Sequence, residues 1–344
     1  MQSTLLPARG RVAPIVTLIV LAPIVSELLF GTTHLTILYP TFLLQLGVYG
    51  CGALIIRALV RHQRRGWPVI LLLGITFAIA VECVILGTSL SPFFFGRDPN
   101  HIYSWAFGVN WTYLLFALGF ESIWSIVLPI QLTELIFPTL RNDPWLGRRG
   151  LIIASIVFIL ASIAVWYRWT YIGAPQYSHG RVYQAPLLSI VIALVVIVAL
   201  VATTLGTRPS SRPVQKTARR VPWPWLVGLV AFVLALLWFV LAVLAFIGPP
   251  SLPAVIPIVS GLAWAGAAFL LVKYWSASPA WRDAHRLALI FGALIASMLA
   301  GFLVSGIHLP IDLLGKLALN VIALLGLFFL AWRLRQRKTA QVAA

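Results

Sequence analysis

Negative charge is scarce in this chain, which carries 8 Asp and Glu among 344 residues. Charged residues of both signs make up 10%, against 61% hydrophobic. That balance excludes an ordinary soluble domain and describes a polytopic membrane protein. Cysteine is nearly absent too: Cys51 and Cys83 both fall inside apolar runs. A disulfide framework is therefore not expected. Long polar stretches are missing, the longest being 207–220 and 170–184. Neither could form a domain, and the first reads as a flexible basic linker. The chain has no Gly-rich phosphate loop, no C-x-x-C pair, no G-x-S-x-G elbow and no H-x-x-x-H pair. No cofactor is implied by any of these motifs.

What the sequence does have is ten apolar runs near the length of about 20 residues that spans a bilayer. They cover approximately 12–30, 38–60, 68–90, 108–138, 150–168, 185–205, 223–247, 253–273, 286–307 and 310–332. The expected fold is an all-α transmembrane bundle. Basic residues fall in every second gap: 21 lie on one side, only Arg97, Arg168 and Arg181 lie on the other, and Lys316 is inside a run. Such a bias predicts that both termini are cytoplasmic in a multi-pass plasma-membrane protein. The net charge of +17 then faces the anionic inner leaflet, and nucleic acid is not an expected partner. The first run follows Arg9 and Arg11 and reads as an uncleaved signal anchor. Tryptophans support this layout, because 11 of the 14 lie near run ends, where amphipathic rings prefer the interface. Trp124, Trp238 and Trp264 are the deep ones.

Residues 1–344 read as one membrane domain. With ten spans, the halves 1–168 and 185–344 would have inverted topology, a common plan among transporters. The fourth run is too long for one straight helix. Either Pro129 kinks it or its first part lies along the outer surface.

Ionisable side chains within a bilayer are costly, so each is a functional candidate. They are Glu27, Glu82, Glu121, Glu134, Asp312 and Lys316. Counting along the runs places Glu82 roughly 12 Å and Glu121 roughly 13 Å below the outer surface, so the two share a depth. Neither has a cation nearby in sequence. Glu27 lies in the last outward turn of the first run, in reach of the interface. Asp312 and Lys316, spaced i and i+4, are expected to pair with each other. Glu134 lies near the cytoplasmic end, in reach of Arg141 or water. Of six histidines, His34, His101, His179 and His308 fall on the outer side. His34 and His308 share the depth of Glu27 and Asp312, which makes them the candidate metal ligands. Asn110 lies where the fourth helix begins.

Several stretches carry a resemblance. They include Ser26-Glu27-Leu28-Leu29, Tyr49-Gly50-Cys51-Gly52 through Arg57, Gly66-Trp67-Pro68, Gly108-Val109-Asn110-Trp111 and Pro144-Trp145-Leu146-Gly147. Over roughly the first 150 residues the chain resembles an uncharacterised family of bacterial multi-pass membrane proteins, which implies topology and no chemistry. A second resemblance is to the CAAX-protease and bacteriocin-processing intramembrane family. That family has a paired Glu-Glu, a helix-borne His and a later His-x-x-x-Asn/Asp. Here Val81-Glu82 has the second acid alone, Glu121 stands near the place of the middle histidine, and His308 to Asp312 matches the third element loosely.

The leading expectation is a transporter-like or ligand-binding bundle for an ion or small molecule. Glu82 and Glu121 would hold a proton or cation in the outer half. Glu27 and Asp312 would extend that site, lined by His34, His101, His308, Asn110 and Lys316. Two other readings stand beside it: an intramembrane hydrolase using these acids, His308 and a metal, and a non-catalytic scaffold.

Overall fold

The computed structural model describes residues 9–93, 102–206, 220–248, 251–304 and 309–343. Ten helices in it are long and apolar enough to cross a membrane. They are α1 (Gly10–Leu28), α2 (Leu35–His62), α3 (Trp67–Ile85), α4 (Trp111–Ile136), α5 (Arg148–Tyr177), α6 (Leu187–Gly206), α7 (Pro224–Phe246), α8 (Val255–Ser276), α9 (Asp283–Val304) and α10 (Pro310–Arg337). The chain is an integral membrane protein of all-α class. Helices dominate because lipid offers no partner to a backbone amide, so each span must satisfy its own. The described exception is a two-stranded hairpin, β1 (Trp105–Ala106) with β2 (Val109–Asn110), just before α4. Thus α4 starts at Trp111, and residues 105–110 precede it as a hairpin rather than as a helix on the surface.

Burial separates centre from rim. The apolar windows of α2 and α4 are 72% and 61% buried, against 6% for α5 and 11% for each of α6 and α8. Two apolar cores result. One packs α1, α4, α7, α9 and α10 around Phe120, Trp124, Phe239 and Leu294. The other packs α1, α2, α3, α4 and α5 around Leu54, Ile70, Ile126 and Ile130. Helices α1 and α4 contribute to both. The halves 1–168 and 185–344 differ in this respect: α1 is central where α6 is peripheral, and α3 is enclosed where α8 is not.

Between helices in lipid the hydrophobic effect adds little, so close packing and interhelical hydrogen bonds must hold the bundle. Gly292 on α9 shows the first. A Cβ there would collide with the Gly228 carbonyl of α7, so the two backbones touch. The deep tryptophans show the second. Trp124 Nε1 donates to Ala293 O (3.2 Å), Trp238 Nε1 to Phe116 O (3.2 Å) and Trp264 Nε1 to Leu234 O (3.0 Å).

At the arginine-rich end, Glu134 does not reach Arg141. It accepts from Arg57 Nε (3.0 Å) and from Arg61 Nε and Nη2 (2.9 and 2.6 Å). Arg57 is 1% exposed. Its other nitrogens donate to the carbonyls of Leu140, Arg141 and Asp143, and it stacks on Trp145 at 3.2 Å. Planar guanidinium suits this use, with five fixed donors and a flat face. Arg141 pairs instead with Asp283 of α9 (2.7 Å).

Each of α1 to α5 contains a π-helical turn: Ile24–Leu28, Leu46–Gly50, Ala80–Ile85, Glu121–Val127 and Trp169–Gly173. Among the described residues α6 to α10 contain none. The hydrogen bonds from Leu29 N–H to Ile24 O (2.9 Å) and from Leu86 N–H to Val81 O (2.8 Å) skip five residues, as a π turn requires. An extra residue per turn rotates the neighbouring side chains and frees a carbonyl, and such turns concentrate at functional sites. The long fourth run is accommodated in this way, by widening between Glu121 and Val127 just before Pro129.

Candidate functional site

The π turns of the first four spans carry the acids. Glu27, Glu82 and Glu121 lie on those of α1, α3 and α4, and Tyr49 lies on that of α2. All four are buried. Tyr49 is within electrostatic reach of Glu27, Glu82 and Glu121. Glu121 is within electrostatic reach of Glu27 and Glu82, and Glu82 of Glu27. The three acids therefore form one group, spread along the arginine-poor part of the bundle between α1, α2, α3 and α4.

Each carboxyl group has hydroxyl partners close in sequence. Thr32 Oγ1 donates to Glu27 Oε2 (2.6 Å), and Thr33 Oγ1 approaches the same oxygen at 3.5 Å. Gln45 Nε2 donates to Thr33 Oγ1 (2.7 Å). Ser89 Oγ donates to Glu82 (3.2 Å) and Ser125 Oγ to Glu121 (2.5 Å). Among the described residues no Lys, Arg or His forms an ion pair with Glu27, Glu82 or Glu121. Nor do three His, Cys, Asp or Glu side chains converge there at metal-ligand spacing. Each acid thus carries its own hydroxyl partner, supplied from a nearby position in the chain.

Asp312 and Lys316 do not pair with each other. Asp312 accepts from Thr36 N–H (3.0 Å) and Thr36 Oγ1 (2.9 Å), and His34 Nδ1 lies 3.7 Å away. Lys316 Nζ donates to the carbonyls of Leu29 (2.8 Å) and Phe30 (2.6 Å), which follow α1. Carbonyls left over at a helix C-terminus attract a cation, and this outcompetes a neighbour on the same helix. Both α10 side chains thus grip the 29–36 segment, and Asp312 stands outside the carboxyl group. Glu27, expected to reach the interface, is 8% exposed because that segment folds back over it.

Comparison with protein-family models, curated proteins and solved structures finds no match.

Asn110 caps α4. Its Oδ1 accepts from Tyr113 N–H (3.1 Å) and Ser104 Oγ (3.2 Å), while its buried Nδ2 has no hydrogen-bond partner. His101 and His308 lie outside the described residues. Sequence reasoning missed Tyr49, which reads as one more aromatic residue in an apolar run. It also missed Thr32, Thr33 and Gln45. A signal for them existed: Thr32, Thr33 and Thr36 crowd the short gap between the first two runs, and Gln45 follows inside the second.

Proposed function

We propose that the chain is a transporter-like membrane protein whose Glu27–Tyr49–Glu121 group, with Glu82, binds and passes protons. The arginine-rich end faces the cytoplasm, so the acids lie in the outer half of the bilayer. The observation that carries this reading is the placement of three acids and a tyrosine on the π turns of four neighbouring spans. Three carboxylates held this close in a low-dielectric interior require neutralisation. Carboxyl groups that each hold a hydroxyl suit protons, which move along hydrogen bonds.

The test uses vesicles reconstituted with the full chain and loaded with a pH-sensitive dye. Gradients of small organic solutes and monovalent cations are imposed one at a time. At least one is expected to drive proton movement in the wild type, and Glu82→Gln and Glu121→Gln are expected to abolish it. Proton movement unchanged in both variants, or absent across the panel, overturns the reading.

A further inference from the structure

Resting on that reading, we infer that His34, held by Asp312, is the point at which protons from the arginine-poor surface reach Glu27. Three observations converge on it. The His34 side chain is 20% exposed while Asp312 is 2% exposed, so the imidazole is the wet member of the pair. Its Nδ1 is buried and has no hydrogen-bond partner, with the Asp312 carboxylate at 3.7 Å. Beneath it runs a crevice of about 10 Å³ lined by Thr33, His34 and Lys316 on its polar side and by Leu28 and Leu319 on its apolar side. That volume is at the threshold for one water.

The crevice leads inward through Thr33. The Thr33 hydroxyl lines it, is fixed by Gln45 and approaches Glu27 Oε2. Thr32 reaches the same oxygen at 2.6 Å. Beyond Glu27 lie Tyr49 and Glu121, within electrostatic reach of it. The 29–36 segment cannot swing freely, because Asp312 holds Thr36 at one end and Lys316 holds the Leu29 and Phe30 carbonyls at the other. The charged groups beside His34 are Asp312, at 3.7 Å, and Lys316, which lines the same crevice, both from α10; the α2 side contributes Thr36, which is neutral.

The transfer balances without a co-reactant. Bulk water delivers a proton to the imidazole, and the imidazolium stands opposite Asp312. It releases a proton to the crevice water, which protonates the Glu27 carboxylate, and the imidazole returns to its neutral form. A histidine suits this step because its ring has two nitrogens, so it can take a proton on one and release it from the other. The same pair also makes α10, a peripheral helix, part of the path.

The experiment places the full chain in lipid nanodiscs and mixes it with heavy water while the infrared carboxylic-acid band is followed. In the wild type a buried carboxyl band is expected, diminished by Glu27→Gln and by Glu121→Gln. His34→Phe should retain that band and its thermal melting point, yet slow its deuterium exchange on the order of a hundredfold. Imidazole added to the buffer should restore the rate. His34→Asn serves as a second variant if His34→Phe does not fold. Exchange as fast as wild type in a folded His34 variant overturns the inference while leaving the proton-binding group in place. Loss of the band from the wild type removes the proton-binding reading itself, and the inference falls with it.

Discussion

Replacing Glu134 with Gln removes the negative charge that Arg57 and Arg61 share, and the size of the effect follows from the charges. Two arginines and one glutamate sum to a formal +1, with side chains 1%, 13% and 2% exposed. Glu134→Gln takes the cluster to +2 and leaves two guanidinium groups facing each other. Arg61→Gln takes it to neutral and leaves the Arg57–Glu134 bond at 3.0 Å intact. Breaking a buried pair by deleting one partner costs about 3–5 kcal/mol. Glu134→Gln should lie in that range. Arg61→Gln should cost about 1–2 kcal/mol, because it removes charge-assisted bonds without stranding a charge. The double variant should cost less than the sum by about 1 kcal/mol or more, since its sites share a network. Denaturant titration in detergent micelles, read by tryptophan fluorescence, measures all three. The reasoning fails if Arg61→Gln costs as much as Glu134→Gln.

Two further outcomes follow from packing. Gly292→Ala should destabilise the bundle by about 1–3 kcal/mol because its methyl group meets the α7 backbone, whereas Gly266→Ala, with open space around it, should be neutral or mildly stabilising; thermal melting of both separates contact from helix propensity. Cys51 and Cys83 are free and buried, so a maleimide should label neither in the folded protein and both after denaturation. Rapid labelling of the folded chain would contradict the described packing.

The ten spans were legible because lipid forces a long apolar window on every crossing. Depth is an expectation that counting residues along a span supplies without knowledge of its neighbours. What counting could not supply was azimuth. A π turn rotates the side chains beyond it, and hydropathy carries no trace of that. So a shared depth could be argued for Glu82 and Glu121, but the electrostatic reach that joins them to Glu27 and Tyr49 could not. Asp312 and Lys316 show the opposite error. Their spacing predicts a local pair, yet distant partners won, because the 29–36 segment offered bare carbonyls to the ammonium and an N–H with a hydroxyl to the carboxylate. Glu134 was rightly placed near the arginines, and only its partners were misassigned: sequence proximity favours Arg141, whereas α2 presents Arg57 and Arg61 on one helical face.

Helices α1 and α4 belong to both apolar cores, and they carry Glu27 and Glu121. They act as the spine of a bound book whose two covers are packed separately. Any change in the angle between the covers must be absorbed along that spine, where Glu27 and Glu121 are mounted. A repacking of either cover would therefore be felt first by the two helices that carry Glu27 and Glu121.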